Sequence, residues 1–146
     1  MRQAESWASV WMKVAEAISQ RSKDPNTQVG AVVVSPDNRQ HTGGYNGFPV
    51  NIKETAERWS RPTKYSYCLH AEANAILNSR TDLEGWTLYL TLFPCVECAK
   101  MIIQSGIKKV VYKNNPTDVS RQNINYNLSE EMLKEAEIEL IHFQCQ

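Results

Sequence analysis

A histidine, a glutamate and two cysteines are the residues of this sequence whose types and spacing suit catalysis. His70 precedes Glu72 by two positions, and Cys95 and Cys98 follow further along the chain, directly after Pro94. One imidazole and two thiolates supply three ligands for zinc, and a catalytic zinc site has three protein ligands because its fourth position is left to water. Glu72 is not one of these ligands, so its carboxylate is available to take a proton from that water and pass it on. The four residues therefore predict metal-assisted hydrolysis.

Two helices are predicted to begin at these residues. The sequence pattern predicts one helix over residues 70–80 and another over residues 95–105, where Pro94 suits the helix entry and Gly106 the helix exit. The two cysteines then share the first turn of the second helix, whose N-terminal partial positive charge favours thiolates. The histidine and the glutamate would diverge on an ideal helix, so their convergence requires that the histidine lie at the helix entry.

The rest of the chain alternates helices with strands around an opening hairpin. This order predicts an α/β protein with a three-layer α/β/α fold and a mixed five-stranded sheet. The first helix, over residues 5–20, is expected to bury the apolar stripe Trp7, Val10, Trp11, Val14 and Ile18. A last helix is expected to be capped by Ser129, and residues 50–67 and 114–127 are expected to be polar and irregular. The strands are predicted at residues 29–35, 40–43, 86–91, 110–112 and 138–143.

Length and charge restrict the classes of function. The chain has 146 residues, enough for one domain with a proper core, and its 16 basic residues balance 16 acidic ones. Binding of a long phosphate backbone usually requires a basic excess, so we expect a small substrate and no polymeric nucleic acid. Because the sequence contains neither a membrane-length apolar run nor a secretory signal, and two of its four cysteines form the Cys-x-x-Cys pair, we expect a reduced, cytoplasmic protein with no membrane partner.

A polar loop before the first strand offers hydrogen-bond donors for a phosphate group. Arg21, Ser22, Lys23 and Asn26 lie close together in this loop. The same composition fits a solvated connector equally well, and both interpretations stay open on the residues alone. Glycines surround Asn46 after the second strand, where they either let the backbone approach a ligand or only end the strand.

One zinc ion per chain is expected, because the sequence offers no second set of ligands. Residues 50–67 contain neither cysteine nor histidine, and His41 and Cys68, which lie nearby, are too few to close a site. Cys68, His142 and Cys145 have no partner at ligand spacing and are interpreted as packing or surface residues.

The order His-x-Glu followed by Pro-Cys-x-x-Cys is the signature of the zinc-dependent nucleobase deaminases. The similarity extends beyond this signature, and the sequence resembles the deoxycytidylate (dCMP) deaminases from its first helix to about Tyr112. The family commonly has leucine where this chain has Ala73, which changes a packing contact and not the chemistry. The stretches that carry the resemblance are residues 22–30 (SKDPNTQVG), 44–49 (GYNGFP), 70–76 (HAEANAI) and 91–107, which begins TLFPC.

The resemblance implies a single zinc-dependent deaminase domain over residues 1–146 with a cytidine-deaminase-like fold. It implies hydrolysis of dCMP to deoxyuridylate (dUMP) with release of ammonia, on the route to thymidylate. His70, Cys95 and Cys98 would hold the zinc, and Glu72 would carry the proton. The residues implied in substrate binding are Asn26, Asn46, Ala71, Asn74, Arg21 and Lys23.

The resemblance also implies regulation. Relatives are often homohexamers that dCTP activates and dTTP inhibits, so a homo-oligomer with nucleotide triphosphate effectors is expected, with Mg²⁺ accompanying such an effector. The residues implied at the effector site are Gly44, Tyr45 and Gly47.

Three alternatives remain open. The chain could deaminate free cytidine or the adenosine of transfer RNA, although free-cytidine enzymes usually carry cysteine in place of His70, and RNA-editing relatives lack the surroundings of Asn46. It could be a zinc-stabilised binding module, which would need a fourth protein ligand and would have no use for Glu72. It could also be a catalytically silent sensor that binds a nucleotide without turnover.

Overall fold

A mixed five-stranded sheet forms the centre of the computed structural model, which describes residues 1–116 and 124–144. The strands lie in the order β2-β1-β3-β4-β5. Strand β1 is antiparallel to both β2 and β3, whereas β3, β4 and β5 run parallel, so the prediction of a mixed sheet is confirmed. The strand bounds are β1 Gly30–Val34, β2 His41–Tyr45, β3 Thr87–Leu92, β4 Lys109–Asn114 and β5 Glu139–His142.

Helices cover both faces of the sheet, which confirms the three-layer arrangement. Helix α1 packs on β1 and β3 from one side. Helices α4, α5 and α6 form the layer on the other side, with α6 packed against α5. The helix bounds are α1 Trp7–Ser19, α2 Ala56–Trp59, α3 Lys64–Tyr67, α4 Ala71–Leu77, α5 Val96–Gln104 and α6 Ile124–Glu135.

Strand β1 separates two apolar cores. Successive side chains of a strand point to opposite faces, so Ala31 and Val33 join the core beneath α4 and α5, and Val32 and Val34 join the core beneath α1. All four are buried. Burial on both faces explains why this segment is a continuous apolar run in the sequence.

The buried face of α1 agrees with the predicted stripe at Trp11, which is buried, and at Val14, which packs against the core, but not at Trp7. Trp7 is 55% exposed and stacks on Trp11 instead of entering the core. The helix lies so close to β1 that a Cβ atom on Gly30 would lie 1.9 Å from the Ala15 carbonyl oxygen. Such a close approach requires small residues at the contact, which rotates the helix away from the predicted stripe. The buried residues of α1 are Trp11, Met12, Ala15 and Ser19.

Two segments predicted to be irregular contain helices. Residues 50–67 include α2 and α3, and α6 begins at residue 124 instead of after Ser129. Ser129 therefore lies inside α6 and is not its cap. Residues 117–123 of the second segment lie outside the described residues.

Among the helices of the described part, none is long and apolar enough to cross a membrane.

Candidate active site

The N-terminal ends of α4 and α5 bring three potential metal ligands together. His70 Nδ1 lies 3.4 Å from the Cys95 sulfur and 3.3 Å from the Cys98 sulfur. All three atoms lie within 4.8 Å of one another. Around a tetrahedral zinc with bonds of about 2.0–2.3 Å, nitrogen and sulfur ligands lie roughly 3.5 Å apart. The three side chains therefore already have the spacing that zinc requires.

The N-cap position of His70 explains how the histidine and the glutamate serve one site. His70 has extended backbone angles (φ −72°, ψ 156°), and α4 starts only at Ala71. The Glu72 side chain consequently projects from the first turn of α4, whereas the His70 side chain projects from the extended residue that precedes the helix. The requirement that His70 lie at the helix entry is met. Helix α4 follows the short helix α3, whereas α5 follows strand β3.

The two cysteines affect each other's pKa in opposite directions. Hydrogen bonds with Cys98 and His70 lower the pKa of Cys95 to about 4, although burial acts to raise it. The hydrogen bond between the two cysteines, together with burial and the nearby Glu72 carboxyl, raises the pKa of Cys98. Two adjacent thiolates would repel each other, so one thiolate beside one thiol is the favoured arrangement of this pair. A bound divalent cation would supply the charge that stabilises the second thiolate.

Glu72 lies beneath the ligand cluster. Its side chain is almost completely buried, and burial raises the pKa of its carboxyl group. A carboxyl group with a raised pKa can hold a proton near neutral pH and release it to a stronger base, which is the property of a proton carrier.

A cavity opens next to the ligand cluster. Ala71, Glu72 and the aromatic residues Phe93 and Tyr126 are among its lining residues. The remaining lining residues are Asp24, Thr27, Val29, Asn46, Lys64, Tyr65, Cys68, His70, Leu92 and Cys95. Of the residues predicted to bind substrate, Asn46 and Ala71 thus line the cavity.

A buried ion pair between helix α3 and the loop before β1 lines the cavity. Lys64 Nζ lies 2.8 and 3.0 Å from the two carboxylate oxygens of Asp24 and 2.9 Å from Asn26 Oδ1. The side chains of Lys64 and Asp24 are only 3% and 6% exposed. Burial acts to raise the pKa of Asp24, but the hydrogen bonds from Lys64 and from the Asn26 and Thr27 backbone lower it overall. The sequence analysis did not identify this pair.

Asn46 is held by its own surroundings. Its Oδ1 accepts a hydrogen bond from the Val29 backbone, and its Nδ2 donates to the Thr27 carbonyl oxygen at 2.9 Å and to Asp24 at 3.3 Å. Ser22 is buried and donates to the Asn46 carbonyl oxygen. These contacts fix the orientation of the Asn46 amide and leave its Oδ1 as the atom with remaining capacity to accept a hydrogen bond.

Arg21 and Lys23 lie away from the cavity at the metal cluster. They line a second cavity, of about 220 Å³, together with Tyr45 and Gly47. Lys23 also forms an ion pair with Glu54. The structure therefore groups two residues predicted for the substrate phosphate with two residues predicted for the effector.

Trp59 also lines this second cavity. Its indole Nε1 is buried without a hydrogen-bond partner, and it is alone in this among the side-chain nitrogens and oxygens that the structure describes. Trp59 stacks on Phe48, with ring centroids 4.4 Å apart.

Two other predicted residues brace elements instead of lining a cavity. Asn74 Nδ2 donates to the Tyr45 carbonyl oxygen at 2.7 Å, which connects α4 to β2. Gly44 lies against α4, where a Cβ atom would lie 2.4 Å from the Ala75 nitrogen.

Among the residues that the structure describes, the other cysteine and histidine side chains are not part of the ligand cluster. His41 packs on Trp11, and the His142 Nε2 lies 2.9 Å from the Lys113 carbonyl oxygen. Cys68 lines the cavity, and burial raises its pKa to about 11. Cys145 lies outside the described residues. Within residues 1–116 and 124–144, His70, Cys95 and Cys98 are the one group of three or more such side chains close enough to hold a metal.

Comparison with known proteins is consistent with this geometry. Residues 5–114 match the model of the cytidine and deoxycytidylate deaminase zinc-binding region. A probable deoxycytidylate deaminase of Caenorhabditis elegans is 44% identical over 88% of this chain, and the matched part spans 65% of that protein. An uncharacterized deaminase of Aliivibrio fischeri is 42% identical over 92% of this chain and 91% of its own length. The crystal structure of dCMP deaminase from cyanophage S-TIM5 in complex with dCMP and dUMP superposes with a TM-score of 0.75 and 29% identity, covering 97% of this chain and 100% of that chain.

Proposed function

Because the chain belongs to the cytidine and deoxycytidylate deaminase family, we propose that it hydrolyses dCMP to dUMP and ammonia as a single zinc-dependent domain. The observation that carries the proposal is the convergence of His70, Cys95 and Cys98 above a buried Glu72 at one cavity. The choice of dCMP is supported by the relatives, several of which are named deoxycytidylate deaminases.

His70, Cys95 and Cys98 are the proposed ligands of one zinc ion per chain. Their mutual distances and their nitrogen and sulfur donors suit zinc, and three ligands leave a position open. Zinc, when bound, makes water a nucleophile at neutral pH. A purely structural zinc module would need a fourth protein ligand, and the described residues place none at the cluster.

Glu72 is the proposed proton carrier. It takes a proton from the attacking water and gives it to the ring nitrogen beside the amine-bearing carbon of cytosine. After the new carbon–oxygen bond has formed, Glu72 takes the remaining hydroxyl proton and passes it to the amine, which leaves as ammonia while the carbonyl forms. Its burial keeps the carboxyl group away from bulk water, so its proton is exchanged with the substrate.

The cavity suggests how the rest of the nucleotide is oriented. The base is placed between the ligand cluster and the aromatic residues Phe93 and Tyr126, and the sugar toward Asn46. Among the described residues that line the cavity, Lys64 supplies the positively charged side chain, and its contacts with Asp24 and Asn26 fix the position of its ammonium group. We place the phosphate end of the substrate toward Lys64.

The second cavity is the proposed effector site. Arg21 and Lys23 supply cations there, beside Tyr45 and Gly47 and the unpaired Trp59 Nε1–H. A triphosphate nucleotide such as dCTP or dTTP, with Mg²⁺, would suit these donors. Assembly into a homohexamer and a cytoplasmic location complete the proposal.

A comparison of substrates tests the proposed activity. The zinc-loaded full chain is incubated with dCMP, deoxycytidine, cytidine and an RNA hairpin at equal concentrations, and ammonia release is measured. We expect the highest kcat/KM for dCMP, because a site built to bind a phosphate leaves its own polar groups unpaired when the phosphate is missing. Equal efficiency on dCMP and deoxycytidine would refute the nucleotide specificity, and binding of dCMP without ammonia release would identify a silent sensor.

A further inference from the structure

Helix α6 contacts the backbone on both sides of Cys95. The Ser129 hydroxyl donates a hydrogen bond to the Pro94 carbonyl oxygen at 2.7 Å, and the Val96 backbone N–H donates to Asn125 Oδ1 at 2.9 Å. Asn125 and Ser129 are four residues apart and therefore lie on one face of α6. Ser129 is completely buried.

The contact from Asn125 satisfies a backbone group that α5 itself leaves unpaired. Cys95 is the N-cap residue of α5, but its side chain makes no capping hydrogen bond because its sulfur points toward His70. The first N–H groups of a helix have no partner within the helix. Asn125 supplies an acceptor for one of them from a neighbouring helix, as an N-cap side chain normally does from within the chain.

We propose that Asn125 and Ser129 are positioning residues for the metal ligand Cys95. They hold the peptide groups before and after this residue, so they fix the direction of its Cα–Cβ bond and the position of its sulfur relative to His70. The inference rests on the proposed zinc site. It concerns a helix that follows the stretch matched by the family model, which ends at residue 114.

We expect Asn125 and Ser129 to affect how tightly the protein retains its zinc. Residues that orient a metal ligand without touching the metal typically change metal affinity by about 10–100-fold when mutated. Ser129→Ala leaves the Pro94 carbonyl oxygen without its buried donor, and Asn125→Ala leaves the Val96 N–H without its acceptor. We expect each variant to release its zinc about 10-fold faster than the unmutated protein.

The test compares zinc release from the full chain. Each protein is loaded with zinc and mixed with an excess of a chromogenic chelator, and the release rate is recorded. Ser105→Ala is the matched control for Ser129→Ala, because Ser105 donates to the Ile102 carbonyl oxygen at the other end of α5. Asn127→Ala is the control for Asn125→Ala, since Asn127 is an exposed residue of the same helix.

Two further measurements separate positioning from general stability. Thermal unfolding of the metal-free proteins reports whether a variant is less stable as a whole. Cobalt replaces zinc for the second measurement, in which the absorption bands of the cobalt–thiolate site report its geometry. We expect Asn125→Ala to change these bands and Asn125→Asp, which keeps an acceptor oxygen, to restore them.

The outcomes distinguish this inference from the proposed function. If the unmutated chain binds neither zinc nor cobalt, the proposed zinc site is wrong and the inference is overturned with it. If it binds zinc, and both variants release the metal at the rates of their controls, the positioning role is refuted while the deaminase proposal stands. Should Ser129→Ala not fold, the comparison of Asn125→Ala with Asn125→Asp decides the question alone.

Discussion

Replacing Lys64 by methionine should destabilise the protein far more than the loss of an ordinary surface lysine. Methionine keeps the unbranched shape and most of the length of the side chain but removes the ammonium group that contacts Asp24 and Asn26. Because the Asp24 side chain is only 6% exposed, the substitution leaves a buried carboxylate without its cation. The measurement is reversible chemical and thermal unfolding at equal metal content.

The expected magnitude follows from the partners that Asp24 retains. Removing one member of a buried ion pair costs about 3–5 kcal/mol. Asp24 keeps hydrogen bonds from the Asn26 and Thr27 backbone and a long one from Asn46, so we expect the lower end, about 3 kcal/mol. For a domain of this size that corresponds to a melting temperature lower by about 10 °C.

The dependence on pH provides a second signature. In the unmutated protein the pKa of Asp24 lies below its ordinary value of 3.8, so its ionised form stabilises the fold above pH 4, and this contribution is lost as the pH falls through the folded pKa. In the Lys64→Met variant the burial of the carboxylate is no longer offset by the lysine, so the Asp24 pKa rises. The stability difference between the two proteins should therefore narrow as the pH falls from 6 toward 3.

Two further variants test whether the buried pair of Lys64 and Asp24 accounts for the loss of stability. Lys134→Met breaks an exposed pair with Glu130 and should cost less than about 1 kcal/mol. Adding Asp24→Asn to Lys64→Met removes the unpaired charge and should recover part of the lost stability. A cost below about 1 kcal/mol for Lys64→Met, or a stability difference that does not depend on pH, would refute the buried pair.

Two further predictions concern metal content and packing. Elemental analysis should find one zinc per chain, with Cys95→Ser or Cys98→Ser lowering it sharply and Cys68→Ser leaving it unchanged; a reproducible second zinc would contradict the ligand assignment. Gly44→Ala should lower the free energy of unfolding by about 2 kcal/mol, because its methyl group would collide with the backbone of α4. Gly47→Ala is the control, since a Cβ atom there meets only a tyrosine side chain at 3.4 Å, and an equal cost for both variants would contradict the packing argument.

The positions of the proposed metal ligands and of the helices that carry them could be predicted, because local sequence signals determine them. Ligand spacing, the proline before Cys95 and the glycine after α5 mark where the two helices begin and end, and Gly106 has the positive φ of 86° that such a stop requires. The alternation of helices and strands likewise predicted the mixed sheet, since β1, β3 and β4 contain short runs of apolar residues. The family resemblance added the substrate, which spacing alone does not specify.

The contacts that could not be predicted join residues far apart in sequence. Lys64 and Asp24 are separated by 40 positions and lie in two polar segments, where charged residues normally face solvent. The start of α6 was misplaced because its first turn, with the sequence INYN, mixes polar and apolar residues, and its polar residues Asn125 and Ser129 contact the backbone at the start of α5. Arg21 and Lys23 were expected at the substrate phosphate because sequence proximity does not reveal which way a loop turns.

The most direct test of the central claim is ammonia release from dCMP by the zinc-loaded chain and by its Glu72→Gln variant. The variant keeps the shape of the side chain and all three proposed ligands, so both proteins should contain one zinc per chain and remain folded. The unmutated chain should release ammonia. The rate of ammonia release by the variant should be at least about 10²–10⁴-fold lower, because glutamine cannot carry the proton. A zinc-loaded Glu72→Gln protein that keeps more than about a tenth of the activity would contradict the mechanism.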